Sequence, residues 1–235
     1  MTKMRNSDPD PRQPRLAEFD KAGFSITPSG LDPAVIESII TQLGEVNGAG
    51  RRGMLRDPIV KELATSPLLT RIVCQYLPVH PRPVRAIYFD KSPDANWLVA
   101  WHQDLTIAVT HQAELPGFGP WSQKDGIIHV QPPASYLEQM VTVRLHLDHA
   151  DESNGALKVI PGSHRHGRLT PDQIEWHRTN QTEHLCQANR GDILLMRPLI
   201  LHASARSTVT HHRRILHIEY AGCDLPPELQ WNESA

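Results

Sequence analysis

The stretch that most constrains this chain is Val141 to Asp148, Val-Thr-Val-Arg-Leu-His-Leu-Asp. In an extended segment, alternate side chains point to opposite faces. Val141, Val143, Leu145 and Leu147 then share one face, and Thr142, Arg144, His146 and Asp148 share the other. The apolar face needs a hydrophobic layer beneath it. The polar face needs a solvated or ligand-holding space, because burying unpaired charge is costly. The inside of a ligand-holding β-barrel would provide such a space.

Material for the hydrophobic layer lies in the first third of the chain. Asp32-Pro33, Asp57-Pro58 and Ser66-Pro67 each combine an N-cap residue with a proline at the first helical position. After the first of them, Val35, Ile36, Ile39, Ile40 and Leu43 follow at helical spacing, and the third segment runs to about Tyr76. Strand signals begin after Pro83, at Val84 to Phe89 and Asn96 to Trp101. They resume at Ala156 to Ile160 after the Asn154-Gly155 turn, then at His184 to Gln187, Asp192 to Met196, Ile200 to His202 and Arg214 to Tyr220, with a short helix from Thr170-Pro171. Between His111 and Pro133 the regularity fails, and Leu115 to Trp121 reads as a loop with the character of a lid or an insertion.

The remaining composition excludes several classes. With 235 residues, 39% of them hydrophobic and 21% charged, the chain suits one sizeable globular domain. A net charge of −2 gives no electrostatic case for nucleic acid or an anionic membrane. Cys74, Cys186 and Cys223 form no CxxC pair and suit a reducing compartment, and no apolar run approaches the roughly 20 residues of a membrane span. Met1 to Arg15 is polar and proline-rich, without the apolar core of a signal peptide. The expected organisation is a disordered lead-in over residues 1–15, one domain over 16–222 and a polar tail over 223–235, in the cytoplasm.

The chemistry-bearing motif is His102-Gln103-Asp104, at the end of the Asn96 to Trp101 strand. Residues two apart on a strand face the same way, so this pair presents an imidazole and a carboxylate to one point. That is two-thirds of the facial triad that holds non-haem Fe(II), and His202, 100 residues downstream, is the candidate third ligand. A His-x-Asp pair is a weak signal by itself. It recurs at His146/Asp148 and His149/Asp151, with a glutamate version at His217/Glu219.

Taken in order, His102-Gln103-Asp104-Leu105, Asn154-Gly155-Ala156-Leu157, Val159 to His164, Gly191 to Leu194, Pro198 to Ser204 and Arg213-Arg214 make the chain resemble the phytanoyl-CoA dioxygenase family of Fe(II)/2-oxoglutarate oxygenases. The resemblance covers about Val84 to Tyr220. It implies a mainly β fold with flanking α-helices, a double-stranded β-helix or cupin-like jelly roll of two facing sheets. It selects His102, Asp104 and His202 as metal ligands over the other His-x-Asp pairs.

The resemblance also implies the co-substrate residues. Arg213, eleven residues past His202, falls where the family binds the far carboxylate of 2-oxoglutarate, with Arg214 as a rival because only one of the two can face inward. Ser204 and Gln103 match family positions near the co-substrate. Arg144 stands where other members carry a different co-substrate contact, so it either helps bind 2-oxoglutarate or binds a carboxylate on the main substrate. Trp101 and Trp121 are candidates for the substrate pocket, whereas Trp97, Trp176 and Trp231 read as packing. The implied activity is a dioxygenase using Fe(II), 2-oxoglutarate and O2 on a small-molecule substrate, with hydroxylation as the default outcome. The Asp104 carboxylate argues against halogenation. A cupin-like isomerase or lyase with another metal, and a non-catalytic binding module, are the competing readings.

Overall fold

The structure is a computed structural model that describes residues 12–46, 48, 50–77 and 80–233. In chain order the elements are α1 (Arg12–Ala22), β1 (Phe24–Pro28), α2 (Pro33–Leu43), β2 (Gly50–Arg52), α3 (Pro58–Ala64), α4 (Pro67–Val73), β3 (Arg82–Lys91), β4 (Val99–His102), β5 (Ile107–Val109), β6 (Trp121–Lys124) and β7 (Ile127–Val130). They continue with α5 (Ala134–Leu137), β8 (Met140–His146), β9 (Leu157–Val159), α6 (Pro171–Asn180), β10 (His184–Cys186), β11 (Asp192–Met196), β12 (His202–Ser204) and β13 (Arg213–Ala221).

The three helix starts read from the sequence are capped as their residues require. The Asp32 carboxylate accepts from the Ala34 amide (2.8 Å), Asp57 from Ile59 (3.1 Å), and the Ser66 hydroxyl from Leu69 (3.2 Å). Each cap satisfies an amide that the first helical turn leaves without a partner. These helices cover one face of a six-stranded antiparallel sheet ordered β1-β11-β8-β13-β3-β2. Ile36, Ile39, Leu63, Leu69 and Val73 from the helices meet Val141, Val143, Leu145, Ile193, Leu216 and Ile218 from the sheet in one buried cluster.

A four-stranded sheet, β10-β9-β12-β4, faces the other side. At one end of this sandwich Leu157, Val159 and Cys186 of the small sheet pack on Leu194 and Met196 of the large one. At the other end the two inner faces carry polar residues, and the space between them is a cavity. The fold is therefore a jelly roll of two facing sheets with open edges; the polar face of β8 looks into a cleft between sheets, not into a closed barrel. A turn at Asn154-Gly155 leads into β9. Gly155 has φ +74°, and a Cβ there would come within 2.3 Å of the Ala205 carbonyl, so only glycine fits.

Three stretches differ from the sequence reading. Part of the irregular region 111–133 is a hairpin, β6–β7, which joins β5 in a third sheet. Its turn is Asp125-Gly126, with φ of 51° and 77°, the left-handed pair that suits a tight hairpin. Within the Leu115 to Trp121 loop, Leu115, Phe118 and Trp121 pack on the cluster formed by this sheet, Leu137 and Met140. Residues 223–233 of the expected tail are also packed on the domain. Leu229 is buried, Trp231 bridges to Val109, and the Glu233 carboxylate accepts from the Ala86 amide (2.9 Å). At the other terminus, α1 starts at Arg12, inside the expected lead-in; residues 1–11 lie outside the described residues. No helix among the described residues is long and apolar enough to cross a membrane.

Candidate active site

The register of β12 against β4 places His202 directly opposite His102. Their rings lie 4.2 Å apart between centroids. Each ring is tied by the same local device: His102 Nδ1 donates to the Ala100 carbonyl (2.8 Å) and His202 Nδ1 to the Ile200 carbonyl (2.9 Å). With Nδ1 holding the proton, Nε2 keeps a free lone pair directed at the partner side chains. Asp104 follows the end of β4, where its amide donates to the Pro198 carbonyl (2.9 Å). Its Oδ1 lies 3.8 Å from His102 Nε2 and its Oδ2 3.7 Å from His202 Nε2.

One ligand atom from each of the three residues falls within a 4.8 Å group. Asp104 Oδ2 is buried and has no hydrogen-bond partner. Burial alone would raise the Asp104 pKa, but His202, His217, His102 and Arg85 outweigh it and hold the carboxyl below the usual range. Burial lowers His202 to about 4, against the opposing pull of Asp104, so its imidazole is neutral at physiological pH. Two imidazole nitrogens and an ionised carboxylate oxygen on one side of a point are a donor set suited to a divalent metal, and the residues fit that role.

The same cavity is walled by Arg85, Ile87, Phe89, Trp97, Val99, Arg144, Leu157, Ser204, Arg213 and His217. Its volume is about 100 Å³. Adjacent residues of β13 face opposite ways: Arg213 is 3% exposed and lines the cavity, whereas Arg214 makes a two-point pair with Asp148 at 2.7 Å through both nitrogens. Burial and Arg144 lower Arg213 to about 9, so it is still a cation at neutral pH. Ser204 Oγ donates to the Gly155 carbonyl (2.7 Å) and accepts from Lys91 Nζ (2.9 Å).

Lys91 was not singled out by the sequence. It is fully buried, pairs in register with Arg213, and its ammonium sits 5.3 Å from the Trp97 ring centre. Burial, with Arg213 and Arg144 nearby, lowers it to about 7. The parity of β3, which puts Arg85, Phe89 and Lys91 on one face, was readable; the pairing with a strand 120 residues later was not. Trp97, read as packing, lines the cavity. Arg85 forms a buried ion pair with Glu219, and the Glu219 carboxylate also faces His217 Nε2 at 3.2 Å.

Three expected site residues lie elsewhere. Gln103 sits between two inward-facing ligands and so points the other way. Its amide donates to the Gly167 and Leu199 carbonyls and accepts from Leu169 N, pinning three backbone segments outside the cavity. Trp101, one residue before His102, is turned outward by the same alternation and packs with Ile160, Leu169 and Leu201. Trp121 lies on the hairpin face that packs on Val130 and Ile107 and borders an open groove of about 640 Å³ with Leu115 and Phe118. That groove holds Glu114 as its one charged residue and is not the chemical site.

The sequence profile described as "Phytanoyl-CoA dioxygenase (PhyH)" matches residues 19–215. The chain belongs to the phytanoyl-CoA dioxygenase family. Membership places it in a family of oxidoreductases. A rice relative (Oryza sativa subsp. japonica), "Phytanoyl-CoA dioxygenase 1", is 24% identical over 192 residues, which is 76% of this chain and 59% of the relative. The chain thus spans well under two thirds of that relative's length. Among solved structures, AviO1 from Streptomyces viridochromogenes Tue57 has a TM-score of 0.65 at 20% identity, over 92% of this chain and 97% of that one. HygX from Streptomyces hygroscopicus, solved with nickel and 2-oxoglutarate bound, has a TM-score of 0.63 at 17% identity, over 89% of this family member and 86% of HygX.

Proposed function

We propose that this chain is a non-haem Fe(II)- and 2-oxoglutarate-dependent dioxygenase that hydroxylates a small-molecule metabolite. The observation that carries the reading is one cavity holding both a His102/Asp104/His202 donor set and, on the facing sheet, an inward Arg213 with no carboxylate partner among the described residues. Family membership adds the expected co-substrate chemistry.

In this reading His102 and His202 offer Nε2 and Asp104 offers its unpartnered oxygen, leaving the side toward the large sheet free for small ligands. When bound, the iron supplies O2 activation coupled to decarboxylation of 2-oxoglutarate to succinate and CO2. Arg213 orients the co-substrate by its far carboxylate, through the fork of parallel N–H bonds that a guanidinium offers. Lys91, held beside this end of the cavity by Ser204 Oγ, adds positive charge behind that carboxylate. The buried apolar walls Ile87 and Leu157 limit the access of bulk water to the reacting centre. Gln103 serves by bracing the backbone around the ligands.

The test is a substrate screen of purified protein with Fe(II), 2-oxoglutarate and ascorbate, reading succinate and product mass. Succinate formation that requires 2-oxoglutarate and disappears in His202→Ala is the expected result. A wild-type protein that makes no more succinate than His202→Ala across the screen would end the assignment. A mass gain of one oxygen identifies hydroxylation, and a product of unchanged mass identifies epimerisation.

A further inference from the structure

The cavity carries more positive charge than a metal and 2-oxoglutarate can use. Arg85 is neutralised by Glu219. Lys91, Arg144 and Arg213 form no salt bridge with any carboxylate among the described residues. The nearest other carboxylates, Asp90 and Asp148, are engaged by His212 and Arg214. Lys124 and His129 on the hairpin feel Arg85 as well, and burial followed by that charge lowers both. Against these cations the metal site offers one negative group, Asp104. A divalent metal more than cancels it, and a dianionic co-substrate removes two of the positive charges left. With Lys91 charged two remain, and with Lys91 neutral one remains.

Arg144 is the cation without an assignment. It is 7% exposed. One nitrogen, Nη1, donates to His217 Nδ1 (3.0 Å), which fixes His217 as the tautomer that donates from Nε2 to Glu219. Its Nε is buried with no partner, and the guanidinium lies 5.8 Å from the Phe89 ring centre. Arg144 pairs with His217, four residues along β13 from Arg213. At about 3.3 Å per residue the two arginines leave the sheet roughly 13 Å apart. Arg213 stands beside Lys91 and Ser204, while Arg144 stands at the metal end, where a metal would compensate the near carboxylate of 2-oxoglutarate. A guanidinium held in a dry cavity without an anion is unfavourable, and its planar fork matches a carboxylate.

We propose that the primary substrate is a carboxylic acid whose carboxylate is held by Arg144, so that the cavity takes two organic anions at separate arginines. This rests on the dioxygenase reading. Arg144 then acts as a specificity-determining residue: it selects acids over their neutral analogues and fixes the distance from the carboxylate to the carbon presented at the metal.

The test uses full-length protein loaded with Ni(II), which does not turn over, and saturating 2-oxoglutarate. The probes are phenylacetate and hexanoate, each against its neutral amide, with affinities read by calorimetry and by Trp97 fluorescence. The acids should bind roughly 10-fold or more tightly than the amides. Arg144→Gln should abolish that preference while changing the 2-oxoglutarate Kd by less than about 3-fold. Arg213→Gln should do the reverse, and Arg144→Lys should keep part of the preference. Arg144→Met replaces the Gln variant if that protein does not fold. Equal affinity for acid and amide, or no binding of either, would overturn the proposal. So would an Arg144→Gln loss of 2-oxoglutarate affinity as large as that of Arg213→Gln, which would give Arg144 to the co-substrate. If 2-oxoglutarate fails to bind the Ni(II) protein at all, the dioxygenase reading falls first and this proposal with it.

Discussion

The two faces of the six-stranded sheet are made by the same strands and share almost no chemistry. On β13, Leu216, Ile218 and Tyr220 lie under the helices with Val143 and Leu145 of β8, and the Tyr220 hydroxyl donates to the Ala64 carbonyl (2.8 Å). One residue out of phase, Arg213 and His217 line the cavity with Arg144, and Glu219 is buried behind them against Arg85. Arg213 and Arg214 condense the contrast into adjacent positions. Arg214 has its charge matched by Asp148 on a partly exposed surface, and Arg213 is buried with no carboxylate paired to it among the described residues. A two-residue period lets one strand carry stability on one side and binding on the other. Damage to the two faces should therefore be separable.

The largest effect should come from the cavity face. His202→Ala or His102→Ala removes one of three ligands from a site with no spare, so metal affinity should fall on the order of 100-fold or more and turnover should vanish. Metal titration of both variants checks this, and wild-type affinity in either breaks the comparison. On the helical face, Leu145→Ala should cost about 2–5 kcal/mol of unfolding free energy in urea. The folded fraction should still bind metal as wild type does. Loss of metal binding at full folding would show that the faces are coupled.

Next in size is Arg213→Ala, which should raise the KM for 2-oxoglutarate about 30- to 1000-fold, or roughly 2–4 kcal/mol, with metal binding intact. Arg213→Lys should recover part of it. Arg214→Ala should leave that KM unchanged and cost about 1 kcal/mol of stability or less, as partly exposed ion pairs do. A larger KM effect from Arg214 would reverse the assignment of faces.

The effect that is smallest per pH unit is a slope in stability. Lys91 loses its proton near pH 7 in the folded ligand-free protein and near the ordinary lysine value of 10.5 when unfolded. Between those values the unfolded chain binds more protons, so stability should rise with pH, by at most about 1.4 kcal/mol per unit. Lys91→Met should flatten that rise. Identical urea midpoints against pH in variant and wild type would show that Lys91 keeps its charge in the folded state.

Much of this architecture was legible because its signals are local. Asp32, Asp57 and Ser66 announce their helices by chemistry confined to three or four residues. The alternation from Val141 to Asp148 announces both faces of β8. The metal triad was legible in part: His102 and Asp104 share a short strand end, but His202 joins them through a register that no local pattern encodes. Trp97 in the cavity wall and Lys91 behind Ser204 were missed for that reason, since their places depend on β3, β4, β12 and β13 packing together. The hairpin around Asp125-Gly126 was passed over although its turn signal was present, because Ser122, Gln123 and Lys124 hide the alternation expected beside such a turn. Gln103 and Trp101 were misplaced by adjacency: a neighbour of an inward residue on a strand faces outward.

The pairing of His202 with His102 across β12 and β4 has a consequence for how such a chain can change its length. The two ligands come from segments 100 residues apart and meet only through hydrogen-bond register. Shifting β12 by a single position would turn His202 outward and Ala203 inward, abolishing the donor set with no ligand substituted. Whole connections between the strands, such as residues 110–120 or the stretch carrying α6, can lengthen or shorten without touching that register. Insertions and deletions are thus permitted in the connections and forbidden in a few strand positions. Loops can accordingly vary around a His102/His202 pair that stays fixed to the residue.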